Sequence, residues 1–163
     1  EGSQELIFRE GESAIERFEG NKIIEKGIKW RIKHDFLGIS LHDSELMKSL
    51  QEGHRHTGLY EGIMLLEGKI KALRWDDEGN IEVKSLLRRG DLVVIPPNQN
   101  HTLIAEEDSR IIVVRFPPGA EAEGGREKII LPHGLESLRE EILIAEGRVE
   151  EASKQALERV GIP

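Results

Sequence analysis

The chain has 163 residues and a mass of 18.4 kDa, which fits one domain of ordinary size. Lysine and arginine number 23 against 31 aspartates and glutamates, and the net charge of −8 argues against a protein that binds the phosphate backbone of nucleic acid. Because cysteine is absent, the chain has no disulfide, no thiolate nucleophile and no thiolate-bound metal. Any metal site must therefore use histidine, carboxylate and water.

No apolar run approaches the roughly 18 residues that a membrane span requires, which predicts a soluble protein with no membrane partner. The first residues, Glu1-Gly2-Ser3-Gln4, have neither the basic start nor the apolar stretch of a signal peptide. We therefore expect a cytoplasmic location.

Residues 6–116 are short apolar or alternating runs cut by Gly, Pro, Asn and Asp, a pattern typical of an all-β sandwich or barrel. The clearest hairpin joins residues 69–75 to residues 81–87 through five turn-forming residues that include a glycine. Three further strands are expected, at residues 91–95, 101–105 and 110–116.

The character of the chain changes after Pro117-Pro118-Gly119. A polar stretch follows, and residues 134–160 then carry apolar side chains at alternating intervals of three and four, the stripe of one helix face. We predict a β-barrel over residues 1–118, including N-terminal strands, and a linker with a C-terminal helical tail over residues 119–163.

Two apolar surfaces of this arrangement need to be covered. Residues 111–114 are apolar at every position, so both faces of that strand should be buried, and the stripe over residues 135–156 needs a partner as well. The tail lies either on its own barrel or across a subunit interface, and the pattern leaves both open. The uncovered strand face favours a homodimer.

The residues that carry chemistry cluster in two segments. His54 and His56 are two positions apart on a predicted strand, so both rings project from the same face and can bind one ion. Glu61 follows a short turn and should open the next strand, close enough to add a carboxylate oxygen. His101 follows a Pro-Pro-Asn turn, at the start of a strand that a barrel could bring back to the same point. The alternative is that these residues are ordinary surface and core side chains.

At these residues the sequence resembles the cupin superfamily, whose first motif is His-x-His, three or four residues, Glu, six residues, Gly. His54, His56, Glu61 and Gly68 match it in type and spacing. In the second motif, Gly, five residues, Pro-x-Gly, two residues, His, three residues, Asn, the matching residues are Gly90, Pro96 and His101. The departures from the two motifs are Lys48, Asn98 and Ala105, and none of them replaces a metal ligand.

The resemblance implies a cupin-type double-stranded β-helix, or jelly-roll barrel, with one divalent metal ion bound by His54, His56, Glu61 and His101. Asn98 stands where the family has glycine, and asparagine tolerates the left-handed conformation that such a turn needs. Three imidazoles and one carboxylate suit Fe, Mn, Co, Ni, Cu or Zn as the divalent ion, and ligand identity does not choose among them.

The resemblance leaves the function open between classes. Metal-retaining cupins include dioxygenases, decarboxylases, lyases, and sugar isomerases and epimerases, whereas other small cupins bind a sugar or another effector without turning it over. We expect an enzyme that acts on a small oxygen-rich substrate, and we favour a dioxygenase over an isomerase or lyase because no acid-base pair is visible beyond the ligands. A metal that only stabilises the barrel is a further alternative.

A few residues outside the ligand group have expected roles. Arg74 alternates with Ile70 and Ala72 and would point inward, where it could bind an anionic substrate. Tyr60 neighbours Glu61, so alternation turns it to the opposite face and favours a packing role. His34, His42 and His133 lack metal-ligand spacing and are expected to be structural or surface residues, and Trp30 and Trp75 to be core or interface aromatics.

Overall fold

The computed structural model describes residues 14–17, 28–120, 124–132, 157–158 and 161. These residues fold almost entirely as β-structure. In chain order the strands are β1 (Ala14–Arg17), β2 (Ile28–Phe36), β3 (Ile39–Leu46), β4 (Ser49–Leu50), β5 (His54–His56), β6 (Tyr60–Glu67), β7 (Ile70–Trp75), β8 (Ile81–Leu86), β9 (Leu92–Ile95), β10 (Asn100–Ala105), β11 (Ser109–Phe116) and β12 (Arg126–Lys128).

The strands form two antiparallel sheets. One has the order β1-β2-β3-β11-β6-β9 and the other β12-β5-β10-β7-β8, with β4 paired to β10. Strands that are distant in sequence are neighbours in both sheets, as where β11 lies between β3 and β6. This architecture is the predicted jelly roll, in which two sheets share one interior.

The core lies between the two sheets, because the strands alternate between inward and outward side chains. Its buried members come from both sheets: Leu46, Ile63, Leu65, Val93, Ile95, Ile111 and Val113 from the first, and Ile70, Ala72, Leu86, Leu103 and Ala105 from the second. A second cluster covers the outer face of the second sheet and consists of Leu50, Leu73, Trp75, Ile104, Leu131 and Leu157. Since both its faces are covered, β10 is buried at every position.

The hairpin expected from residues 69–87 is confirmed as β7 and β8. Asp76 fixes its turn, because Oδ1 accepts hydrogen bonds from the backbone N–H groups of Glu78 (3.0 Å) and Asn80 (2.8 Å). The strand predicted at residues 91–95 begins one residue later, at Leu92. Strands β10 and β11 each begin one residue earlier than predicted.

The C-terminal part of the chain contains one element that the pattern did not predict. Strand β12 lies in the polar stretch interpreted as a linker, and it pairs with β5. Its three side chains are exposed, so it carries no apolar signal. The predicted helical stripe lies outside the described residues, except that Leu157 and Glu158 are helical. Among the described residues, no helix has the length and apolar character needed to cross a bilayer.

Strand β11 buries its inner side chains more completely than its outer ones. Ile111 and Val113 are buried in the core, whereas Ile112 and Val114 are half-buried on the outer face. The same outer face continues across β6 to β9, where Leu92 and Val94 are 59% and 43% exposed. A continuous apolar strip of this kind is typical of a protein interface.

We expect a second copy of the chain to cover this strip, giving a homodimer of twice the 18.4 kDa chain mass. A Val94→Glu substitution should then give a monomer at micromolar concentration, because it places a charge in the interface. Leu37→Glu is the matched control, since Leu37 is 77% exposed in the turn between β2 and β3 and is not one of the strip residues. Multi-angle light scattering measures the mass, and a monomeric wild-type chain would contradict the expectation.

Candidate metal centre

Three histidines meet on two neighbouring strands of the second sheet. His54 and His56 are both buried on one side of β5, as their spacing predicted. Antiparallel pairing places His101 of β10 directly opposite His54, and the two ring centroids are 4.1 Å apart. The His56 ring lies 5.2 Å from that of His54 and 5.7 Å from that of His101.

The turn before β10 holds His101 in this register. Asn98 has a φ of 62°, the left-handed conformation that was expected of it as the replacement for the motif glycine. Its backbone N–H donates a hydrogen bond of 2.8 Å to the carbonyl of His56, which joins the turn to β5. The substitution therefore preserves the turn that positions the third histidine.

The fourth residue comes from the opposite sheet. Glu61 is the second residue of β6, and its side chain is buried on the inner face. Tyr60 points to the other face, as alternation predicted, where it is 43% exposed and stacks on Phe116 with ring centroids 5.6 Å apart. The side chain of Tyr60 is thus directed away from the histidines.

The four side chains form a group that could hold one metal ion. One ligand atom from each of His54, His56, Glu61 and His101 lies within 4.8 Å of all the others. Two donors bound to one ion at about 2.1 Å each lie about 3–4 Å apart. Glu61 Oε2 is 3.2 Å from His56 Nε2, and Oε1 is 3.6 Å from His101 Nε2. These distances between donor atoms are close to those expected around one bound ion.

Hydrogen bonds orient two of the rings for this role. Nδ1 of His54 donates to the carbonyl of Glu52 at 3.0 Å, and Nδ1 of His101 donates to the carbonyl of Gln99 at 2.9 Å. Because a carbonyl oxygen only accepts, Nδ1 carries the proton of each neutral ring and Nε2 keeps its lone pair. A backbone carbonyl behind a metal-binding imidazole is a common second layer of such sites.

Two buried ring nitrogens that face the group have no hydrogen-bond partner among the described residues. Nε2 of His56 and Nε2 of His101 are fully buried, yet within the described part of the chain neither has a hydrogen-bond partner, although both lie near the Glu61 carboxylate. Leaving such an atom without a partner costs about 1–3 kcal/mol. A metal ion would satisfy both atoms at once, so the residues fit a divalent cation.

The protonation states also suit cation binding. Burial and, to a smaller extent, the nearby His101 ring together lower the pKa of His54 to about 3, against the opposing effect of the Glu52 carbonyl, so His54 is neutral at pH 7. Burial alone raises the pKa of Glu61. The imidazoles of His101 and His56 and the Arg115 guanidinium outweigh burial, and the pKa of Glu61 lies well below its usual range. The group therefore offers a carboxylate and a neutral imidazole.

Arg115 is a site residue that the sequence analysis missed. It lies on β11 directly opposite Glu61, and its Nε donates a hydrogen bond of 3.1 Å to Glu61 Oε2. This contact fixes one carboxylate oxygen. Alternation along β11 does predict that Arg115 faces inward, as Ile111 and Val113 do. No local sequence pattern, however, indicates that β11 pairs with β6.

The other residues singled out from the sequence have varied positions. Arg74 lies on β7 directly opposite His101, on the inward face that was expected. His42 is buried on β3 and shares a hydrogen bond of 2.8 Å with Ser40 Oγ, which agrees with a structural role. His34 is half-buried on β2, and His133 lies outside the described residues.

An Arg115→Gln substitution is expected to weaken metal binding about tenfold, the lower end of the effect of removing a ligand's outer partner. The reason is that Glu61 loses the donor that fixes its carboxylate. Titration with Co(II) against a chromophoric chelator measures the affinity. Arg110→Gln is the control on the same strand, because the exposed Arg110 pairs with Asp43 of β3 and not with a ligand. Tighter binding by Arg115→Gln would show that charge repulsion, rather than orientation, is its main effect.

Comparisons with known proteins agree with this geometry. Residues 48–117 match the family model described as the cupin domain. No curated protein matches the chain in sequence. Among solved structures, oxalate decarboxylase from Bacillus subtilis at pH 4.6 matches with a TM-score of 0.59 and 17% identity, over 79% of this chain and 33% of that chain.

Two single-residue variants of the same Bacillus subtilis enzyme give TM-scores of 0.59 and 0.58, at 17% and 16% identity. They cover 87% and 100% of this chain but only 40% and 41% of theirs, so the chain spans well under half of that protein. At such identities the likeness concerns the fold. The family model, the two-sheet barrel and the order of the strands agree, and residues 48–117 of the chain match the cupin domain.

Proposed function

We propose that the chain is a mononuclear metal enzyme that oxidises a small, oxygen-rich substrate with O₂. The observation that carries the proposal is the buried group of three imidazoles and one carboxylate, in which two ring nitrogens have no hydrogen-bond partner among the residues that the structure describes. Such a donor set suits a redox-active divalent ion such as Fe(II). When bound, the ion supplies Lewis acidity and electrons for O₂.

The protein residues contribute a fixed and dry environment for this chemistry. His54, His56, Glu61 and His101 would hold the ion, and each is buried. Arg115 and the carbonyls behind His54 and His101 fix the ligand orientations. The donors are buried on strands that also carry the apolar core, and electrostatic interactions are stronger in such low-dielectric surroundings.

The residues that flank the ligands support an oxygenase over an isomerase. By strand register, Arg74 lies beside His101 and Arg115 beside Glu61 on the inward face, while the β12 residues opposite His54 and His56 have exposed side chains. A guanidinium stays charged at neutral pH and serves poorly as a general base. An isomerase needs a base to move a proton next to a polarised carbonyl.

A lyase that acts on a carboxylic acid without consuming O₂ is the second candidate. The observation that favours it is the inward position of Arg74, a residue type that pairs with carboxylates. The third candidate is a protein that binds an effector at the same site without converting it. Substrate turnover and O₂ consumption separate these three functions.

His101→Ala is expected to lose most of the bound metal, because it removes one of the four donors and the one nearest the centre of the second sheet. Wild-type and variant chains are stripped with a chelator, reloaded with Fe(II) or Mn(II), and assayed for metal by elemental analysis. His34→Ala is the matched control, since His34 lies outside the group. Full occupancy in His101→Ala would show that the assignment is wrong.

The reaction class is tested by reconstituting the chain separately with Fe(II), Mn(II), Ni(II) and Zn(II). Small diols, keto acids, phenols and sugars are then supplied while O₂ uptake and product mass are recorded. A dioxygenase should give a product heavier by one O₂ with a redox-active ion and no turnover with Zn(II), which has no accessible second oxidation state. Equal turnover with Zn(II) in the absence of O₂ would promote the lyase or isomerase.

A further inference from the structure

A cavity of about 460 Å³ lies at the seam where the two sheets end. Strand β8 is the last strand of one sheet and β9 the last strand of the other, and the two are not hydrogen-bonded to each other. The cavity is lined by residues of both strands and by Arg74 of β7. Its volume is within the range of pockets that take small molecules.

Strand register connects this cavity to the metal centre. Arg74 pairs with His101 on one side and with Glu82 of β8 on the other. These three residues therefore occupy one row across the inner face of the sheet. In that row, Arg74 is next to the ligand His101 and also lines the cavity.

The Arg74 guanidinium has donors that the described residues do not use. Its Nη2 donates a hydrogen bond of 2.6 Å to Glu82 Oε2, but its Nε is buried and makes no hydrogen bond. Glu82 is half exposed, and its other oxygen lies 2.9 Å from Lys84 Nζ. Because Glu82 is solvated, an incoming anion can join or replace it at little cost.

We propose that this cavity binds a carboxylate group of the substrate, with Arg74 as the anchor and Lys84 as a second cation. The inference rests on the proposed function, since it names the substrate class as short mono- or dicarboxylic acids. Arginine is suited to this role because its planar fork holds a carboxylate through two parallel hydrogen bonds. Lys84 adds a second positive charge to the cavity lining, which raises the local concentration of anions.

Asp91 also lines the cavity, and its charge would oppose an anion there. Its carboxylate is engaged elsewhere, because Oδ2 accepts hydrogen bonds from the backbone N–H groups of Leu87 (2.8 Å) and Arg88 (2.9 Å). Asp91 therefore closes the turn before β9. The cations Arg74 and Lys84 both pair with the solvated Glu82, and a ligand anion would compete with Glu82 for them.

The test uses malonate as the probe and its uncharged analogue malonamide as the comparison. Binding is measured by calorimetry at constant ionic strength on the full chain, first with its metal and then after chelator treatment. Malonate should bind in both forms and malonamide in neither. Arg74→Gln should weaken malonate binding at least tenfold in both, while Arg88→Gln, in the exposed turn, should leave it unchanged.

Glu82→Gln provides a second variant with the opposite expectation. It removes the carboxylate that competes for the guanidinium, so malonate should bind severalfold more tightly. Unchanged malonate affinity in Arg74→Gln, or weaker affinity in Glu82→Gln, would overturn the proposal. Malonate binding is also measured on the chelator-treated chain, so it does not depend on the metal. A chain that binds malonate but no metal would contradict the proposed function and leave this proposal standing.

Discussion

The antiparallel pairing of β5 with β10 is the interaction on which the site depends. It places His54 opposite His101, and the second sheet can then present three imidazoles to the one carboxylate of the first sheet. All four donors are buried, and no described residue forms a hydrogen bond with two of the ring nitrogens. Burying polar groups without partners lowers the free energy of unfolding, so packing elsewhere in the fold must offset this cost.

That stability comes from the covering of β10 on both faces. The inner cluster packs Leu103 and Ala105 between the sheets, while the outer cluster packs Ile104 against Leu50 and Leu131. A strand held in this way has little freedom to shift its register, since a slip of one residue would turn His101 out of the site. The packing that fixes the register of β10 therefore also fixes the position of His101 among the donors.

Charge is distributed asymmetrically around the donors. The chain has a net charge of −8, yet the inward neighbours of the ligand strands are Arg115 on one side and Arg74 on the other. Arg115 donates to Glu61, whereas Arg74 pairs with the solvated Glu82, and its Nε has no acceptor in the described part of the chain. One arginine thus maintains the carboxylate ligand, and the other leaves a cation facing the cavity between the sheet edges.

The sequence by itself determined what depends on local periodicity: the β7–β8 hairpin, the shared face of His54 and His56, the inward direction of Arg74 and the outward direction of Tyr60. The motif spacing also selected all four candidate ligands. Only the tertiary structure decided what depends on pairing between distant strands. The Arg115–Glu61 contact spans 54 positions, β12 has exposed side chains without an apolar pattern, and the cavity lies where two edge strands do not pair. Side-chain alternation fixes which face a residue takes, but not which distant strand lies beside it.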